Sequence, residues 1–168
     1  MLILKKLDLK KDITHKYKKW MNDKEVHKYS PQKLTSHTIS SIRKYVKLIN
    51  RSKNEFLLGI FIKKKFKLEH IGNVKIGPVN YFYKTANISY FIGEKELWKK
   101  GLGAKAIKEI IKIDKKKKIK KLKAGLNKIN HASKRVLEKN GFKREGILKS
   151  EEEHNKKRYD AYIYGKIL

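Results

Sequence analysis

Trp98-Lys-Lys-Gly-Leu-Gly-Ala104, a loop with two glycines, separates an alternating run of residues from an apolar-periodic one. Before it, residues 85–92 set Ala86, Ile88, Tyr90 and Ile92 against Asn87, Ser89 and Phe91, the period-2 pattern of a strand, and Gly93 ends the run. After it, Ala104, Ile107, Ile110 and Ile111 recur at helical spacing. A strand therefore feeds a helix N-terminus, and Gly101 and Gly103 let backbone N–H groups turn toward an anion at that positive end. Lys99, Lys100 and Lys105 surround the loop, a setting suited to a pyrophosphate. The spacing lacks the third glycine of a dinucleotide fingerprint and the Gly-Lys-Ser/Thr of a Walker loop, so on spacing alone an ordinary tight turn explains it equally well.

Toward the C-terminus, the lysine run 115–118 leads to a short strand over 119–126 and a helix over 130–139 that stops at Asn140-Gly141. Residues 142–148 and 159–168 read as two closing strands, with the acidic Glu151-Glu-Glu153 between them. Toward the N-terminus, strands are expected over 56–62 and 66–76, the second ending in a Gly77-Pro78 turn. A helix over 38–49 places Ile39, Ile42, Tyr45, Val46 and Ile49 on one face, with Thr35 or Ser36 to cap it. Residues 8–21 form an earlier helix carrying Ile13, Tyr17 and Trp20, after a first strand over 1–7. The order is βααβββαβαββ, an α+β fold with a mixed β-sheet and helices on both faces. No repeat or proline-rich linker interrupts it, so residues 1–168 are expected to form a single domain.

Composition bounds the chemistry. Lys and Arg number 45 against 16 Asp and Glu, a formal net charge of +29. That suggests a polyanion partner. Yet 40 of the 45 are lysines, and Arg is the residue that base edges and bidentate phosphate contacts favour. A genome rich in A/T codons would enrich Lys, Ile and Asn together with no selection for nucleic acid. Cysteine is absent, which excludes disulfides, thiolate metal sites and any covalent mechanism through an enzyme thiol. The six histidines lie far apart, and no metal is expected. No apolar run approaches a membrane span, so a cytoplasmic protein with no membrane partner is the default.

A second segment gives the loop its meaning: Asn130-His-Ala-Ser133, then Val136-Leu-Glu-Lys-Asn-Gly-Phe142, then Glu145-Gly146. Together the two segments resemble the Gcn5-related N-acetyltransferase (GNAT) superfamily, whose acetyl-CoA loop reads Gln/Arg-x-x-Gly-x-Gly/Ala and whose next helix reads Asn-x-x-Ser/Ala and ends in Gly-Phe. Trp98 to Gly103, the early Trp20-Met-Asn-Asp23 and Glu145-Gly146 are similar to the Rim-type, ribosomal-protein N-terminal acetyltransferase subgroup. The resemblance spans essentially the whole chain.

What the resemblance implies is specific for the cofactor and sparse for the acceptor. The loop backbone at Lys99, Lys100, Gly101, Leu102, Gly103 and Ala104 would bind the pyrophosphate of acetyl-CoA. The strand before it, at Phe91, Ile92 and Gly93, would splay at a bulge and pair with the pantetheine arm, and a backbone N–H there would face the thioester oxygen. Asn130 would hydrogen-bond the pantetheine, cap its helix, or do both. The tyrosine that many superfamily members carry seven residues after this Asn is Leu137 here, which leaves Ser133 either to protonate the leaving thiolate or simply to let CoA pass. The strand glutamate of some relatives is Gly125 here. Matching from Gly-Phe instead points to Glu152 as general base, against the plainer reading of a solvated acidic loop.

Trp20, Asn22, Tyr29 and Tyr81 are the candidates for binding the acceptor. The implied activity is transfer of acetyl to a primary amine, a protein N-terminus or the amino sugar of a nucleotide-sugar, by direct attack in a ternary complex. The partners are then a small-molecule or peptide amine, with polyamines ranked last because a +29 protein repels them unless acids line the pocket. A homodimer is compatible with the sequence. The alternative of a different class is a non-catalytic basic nucleic-acid-binding protein, which no helix-turn-helix or RNA-binding aromatic motif supports.

Overall fold

The structure, a computed structural model, describes residues 1–116 and 118–168, and all side chains but those of 114–117. Of the lysine run 115–118, residue 117 and the side chains of 115–117 thus lie outside the described residues. Seven strands, β1 (Leu2–Lys6), β2 (Phe56–Lys64), β3 (Lys67–Asn80), β4 (Thr85–Ile92), β5 (Lys121–Asn127), β6 (Lys143–His154) and β7 (Lys157–Ile167), form one sheet in the order β1-β2-β3-β4-β5-β7-β6. Four helices cover it: α1 (His15–Met21), α2 (Ile39–Arg51), α3 (Leu102–Lys116) and α4 (His131–Lys139). Among the described residues no helix is long and apolar enough to cross a membrane.

Strand alternation sorts the core into two layers. On one face α1 and α2 bury Tyr17, Trp20, Ile42, Val46 and Ile49 against Leu57 and Phe61 of β2. On the other, α3 and α4 bury Ile107, Ile110 and Leu137 against Ile60, Val74, Ile88 and Leu122. Each such side chain contributes about 1.5–3 kcal/mol on burial.

Every pair of neighbouring strands is antiparallel except β4 and β5, which run parallel. That parallel pairing covers only Thr85, Ala86 and Asn87 opposite Lys121, Leu122 and Lys123. Beyond it β4 stays with β3 as far as Ile92 opposite Gly72, while β5 follows β7 as far as Asn127 opposite Ala161. The sheet therefore opens between its two halves. The register of β4 against β3 is even from Ile88 to Ile92, and the irregularity comes just past it, where the N–H groups of Gly93 and Glu94 both donate to the Ile71 carbonyl. The opening comes from β5 departing with β7.

Other expectations are corrected locally. The first helix begins at His15, not at residue 8, with Thr14 as its N-cap. The Asp8 carboxylate takes the N–H groups of Lys10 and Lys11, and Asp12 takes that of Asp8, so side chains hold residues 8–12 in a turn. Thr38 rather than Thr35 or Ser36 caps α2, in a reciprocal box with Ser41. Gly77-Pro78 is no turn: it forms a bulge inside β3, where the register shifts between Ile76 and Val79. Pro78 has no N–H to give a ladder, and Val79 N–H instead donates to the Asn54 carbonyl. The closing strands extend past their expected ends to meet in a hairpin, so Glu151 to Glu153 lie on β6 and not in a loop.

The closest backbone approach at a described glycine is at Gly72, where a Cβ would stand 2.2 Å from the Phe91 carbonyl oxygen. Gly72→Ala is expected to cost about 1–3 kcal/mol, read as a lower urea midpoint. Gly125→Ala, whose Cβ meets nothing nearer than 3.8 Å, should leave the midpoint close to wild type.

Candidate active site

The glycine loop is held at both ends. Lys99 (φ 60°) and Gly101 (φ 73°) adopt left-handed backbone, and the Gly101 carbonyl accepts the Lys105 N–H that starts α3. Leu102, Gly103 and Ala104 supply first-turn N–H groups, which no helix carbonyl satisfies, at the positive end of a 15-residue helix. Lys99, Lys100 and Lys105 are exposed around it. Trp98 pins the loop to the sheet, its indole Nε1 donating to the Ile92 carbonyl at 2.8 Å.

The same bond shapes the edge of the opening. Gly93 N–H donates to the Ile71 carbonyl at 2.8 Å, which turns the Phe91 and Gly93 peptide groups toward β3 and those of Tyr90 and Ile92 toward the opening. With the Ile92 carbonyl taken by Trp98, Ile92 keeps its N–H for the rim, beside the Tyr90 peptide groups. Of the three strand residues expected to meet a pantetheine, then, only Ile92 offers its backbone there. Phe91 instead turns its ring to the α1/α2 face, 5.0 Å from the ring of His27.

Trp20 is 4% exposed and supports this rim from below. A Cβ on Gly93 would lie 2.2 Å from its ring, and its Nε1 donates to Glu94 Oε1 at 2.9 Å. Lys16 joins the same carboxylate at 3.1 Å and Glu69 at 3.1 Å. Asn22 spends its amide on backbone: Oδ1 accepts His37 N–H at 2.8 Å and Nδ2 donates to the His37 carbonyl at 2.9 Å. Asn22 thus orders the α1–α2 connection, while Trp20 holds the rim at Gly93 and Glu94.

Two histidines pack beside them, His27 buried and His70 half-buried. His70 directs Nε2 at the Gly72 carbonyl (2.9 Å) and Asn73 Oδ1 (2.8 Å), and its ring stacks on Phe61 at 4.8 Å. Burial holds its pKa below 6.5, outweighing the hydrogen bonds to Asn73 and Gly72. His27, 4% exposed, is lowered by burial and then by the neighbouring His37, with Asp23 opposing.

Across the opening, Asn130 caps α4, its Oδ1 accepting Ser133 N–H at 3.1 Å. Ser133 Oγ lies 3.4 Å from the Tyr90 hydroxyl, which reaches it from β4. Leu137 is a core residue, and Gly125 sits opposite Ile163 on β5. Asn140 sets the spacing of the two helices, donating from Nδ2 to the Ala104 carbonyl at 3.2 Å and to that of Val136 at 2.9 Å.

The hairpin of β6 and β7 closes the acceptor side. Glu152 lies opposite Tyr159 and is half-buried, while Glu151 and Glu153 are exposed. Strand alternation separates it from its neighbours and puts it on one face with His154. The His154 ring is 5.4 Å from Tyr29, and Lys33 Nζ donates to its Nδ1 at 3.4 Å. Tyr81 is far from this group: it follows Asn80 at the opposite end of β4, and its hydroxyl donates to the Lys53 carbonyl. The structure therefore removes Tyr81 from the acceptor set. Among the described residues no three His, Asp or Glu side chains group as metal ligands.

The sequence profile of the acetyltransferase (GNAT) domain family matches residues 1–143. The chain belongs to that family. No curated protein matches it significantly. The GNAT fold is shared with the microcin C7 self-immunity acetyltransferase MccE, solved with acetyl-CoA and AMP (23% identity, TM-score 0.82, covering 99% of this chain and 92% of that one). It is shared with RimL, the ribosomal L7/L12 alpha-N-protein acetyltransferase, solved with CoA (19%, 0.82, 99% and 94%). Spermidine N-acetyltransferase from Vibrio cholerae, solved with CoA and spermine, is a third (18%, 0.84, 99% and 95%). At these identities the likeness is one of fold.

Because burial lowers the pKa of His27 and His70 in the folded state, the unfolded chain binds protons below about pH 6.5 that the folded chain refuses. Stability should be full above that pH and fall as pH drops below it. Urea melts at pH 7.5 and 5.5 should show this loss, and His70→Gln should make it smaller.

Proposed function

We propose that this GNAT acetyltransferase uses acetyl-CoA to acetylate a primary amine directly, in a ternary complex. The observation that carries the reading is the opening between β4 and β5, with the first turn of α3 near its mouth and Ile92 N–H on its rim. The first-turn N–H groups and the lysines around them suit a pyrophosphate. Ile92 N–H is placed to stabilise charge developing on a carbonyl oxygen. MccE, RimL and the spermidine enzyme were each solved with CoA or acetyl-CoA, which supports the same cofactor here. With no cysteine in the chain, no enzyme thiol carries the acetyl group.

Glu152 takes the amine proton, directly or through water, and Ser133 faces the departing sulfur. Acetyl-CoA supplies the activated acyl group, and the chain's own residues orient it and move protons.

The acceptor is an amine on a molecule that carries negative charge, either a nucleotide-linked amino sugar or an acidic peptide N-terminus. Glu94 and Glu69 already pair with Lys16, and Asp23 and Glu25 with Lys95 at 2.9 Å each. Lys33 adds positive charge beside His154, and with the net charge of +29 this disfavours a polyamine, for which Glu151 to Glu153 remain the available acids. MccE binds AMP and RimL acts on a protein N-terminus, consistent with both arms.

Saturating acetyl-CoA should raise the melting temperature, as a ligand specific to the folded state must. Salt-sensitive oligonucleotide binding without that rise would favour a nucleic-acid binder instead. In an acetyl-CoA consumption screen, amino-sugar nucleotides and acidic peptides should outpace spermidine. With the best acceptor, Glu152→Gln should lower kcat/KM by about 100-fold and abolish the acid limb of the pH profile. An unchanged rate and profile would remove Glu152 from the mechanism.

A further inference from the structure

The superfamily tyrosine expected on α4 is Leu137, buried in the core, yet a tyrosine hydroxyl does arrive at Ser133 from another element. Tyr90 stands on β4, two residues before Ile92, with its peptide group facing the opening and its side chain on the α3/α4 face. Its ring runs under the first turn of α3. A Cβ on Gly103 would lie 3.0 Å from Tyr90 Cε2, so the second loop glycine leaves room for this ring. At the far side the hydroxyl meets Ser133 Oγ at 3.4 Å, while Asn130 holds the Ser133 backbone in place at 3.1 Å.

We propose that Tyr90 and Ser133 form a two-hydroxyl relay in which Tyr90, as a positioning residue acting through Ser133, supplies the proton that Ser133 passes to the leaving sulfur. The proposal rests on the acetyl-CoA reading above. The amine nitrogen forms its bond to the acetyl carbon as the carbon–sulfur bond breaks. Ser133 gives its Oγ proton to the sulfur and takes the Tyr90 proton, and solvent reprotonates the phenolate. The amine's own proton leaves toward Glu152, so an ammonium acceptor releases one proton per acetyl group. The relay answers a chemical difficulty. A serine acting alone would be left as an alkoxide, whereas the charge here ends on a phenolate, a much weaker base. Burial raises the pKa of Tyr90, so the phenolate is the disfavoured form and its reprotonation by solvent completes the transfer.

The test needs no acceptor: titrate the thiol of CoA bound to the protein by thiolate absorbance, in wild type, Tyr90→Phe, Ser133→Ala and the double variant. Tyr90→Phe should raise the bound thiol's pKa by about one unit, because a hydrogen bond to the thiolate is weakened. Ser133→Ala should do the same, and the double variant should go no further, since the two act as a unit. In turnover, Tyr90→Phe should lower kcat about 10- to 100-fold with the KM for acetyl-CoA unchanged. Tyr90→Phe keeps the ring and should melt with wild type, which separates the relay from packing. Identical titrations in wild type and Tyr90→Phe, or shifts that add, would overturn the relay and leave the cofactor reading intact. Failure of wild type to bind CoA would overturn that reading, and the relay with it.

Discussion

Three residue pairs hold the two halves of this sheet together. Thr85, Ala86 and Asn87 pair with Lys121, Leu122 and Lys123, and then β4 and β5 part, each committed to its other neighbour. A longer parallel pairing would close the sheet and leave no site. Parallel strands are joined by a crossover that runs across the sheet, and here it is α3, which begins just past the open end of β4. The anion-binding helix end and the exposed strand edge are thus placed together by one topological choice.

An opening made of unpaired backbone has to be kept from collapsing, and two tryptophans do this from different sides. Trp98 caps the Ile92 carbonyl from the loop, and Trp20 lies under Gly93 and anchors Glu94. Each buries a large apolar body and ends in one N–H, so each packs and specifies direction at once. Asn140 performs the matching service for the helices, holding the start of α3 to the end of α4. The residues that resemblance marks most clearly, Trp20, Asn22, Trp98 and Asn140, are largely those that shape the cavity from behind.

Periodic elements could be read along the chain because period is a local property. The strand over Thr85–Ile92 and the helices after the loop and at Ser133 stand close to where their apolar spacing puts them. What could not be read was set by competition or by distance. Asp8 and Asp12 withdraw N–H groups from a helix that apolar spacing alone would extend to residue 8. Pro78 usually punctuates a chain, yet it fits inside β3 because Val79 finds a carbonyl outside the ladder. Glu152 was singled out by resemblance from an acidic run that could equally be a solvated loop, and only the strand's alternation turns it away from the exposed Glu151 and Glu153. Tyr90 carried the plainest signal that went unused. Its inward position on β4 was visible, but its partner is 43 residues away and only the fold brings them together.

The Trp98 bond has one more effect, on which of two molecules the rim retains. With the Ile92 carbonyl occupied, the last rung of β4 presents a donor and no acceptor. Under the proposed chemistry, a thioester brings an oxygen that this N–H can hold. A free thiol brings no such oxygen. Under that chemistry the last rung of β4 gives the reactant a hydrogen bond that the spent carrier does not take, and the same indole that fixes the loop leaves the Ile92 carbonyl out of the exchange.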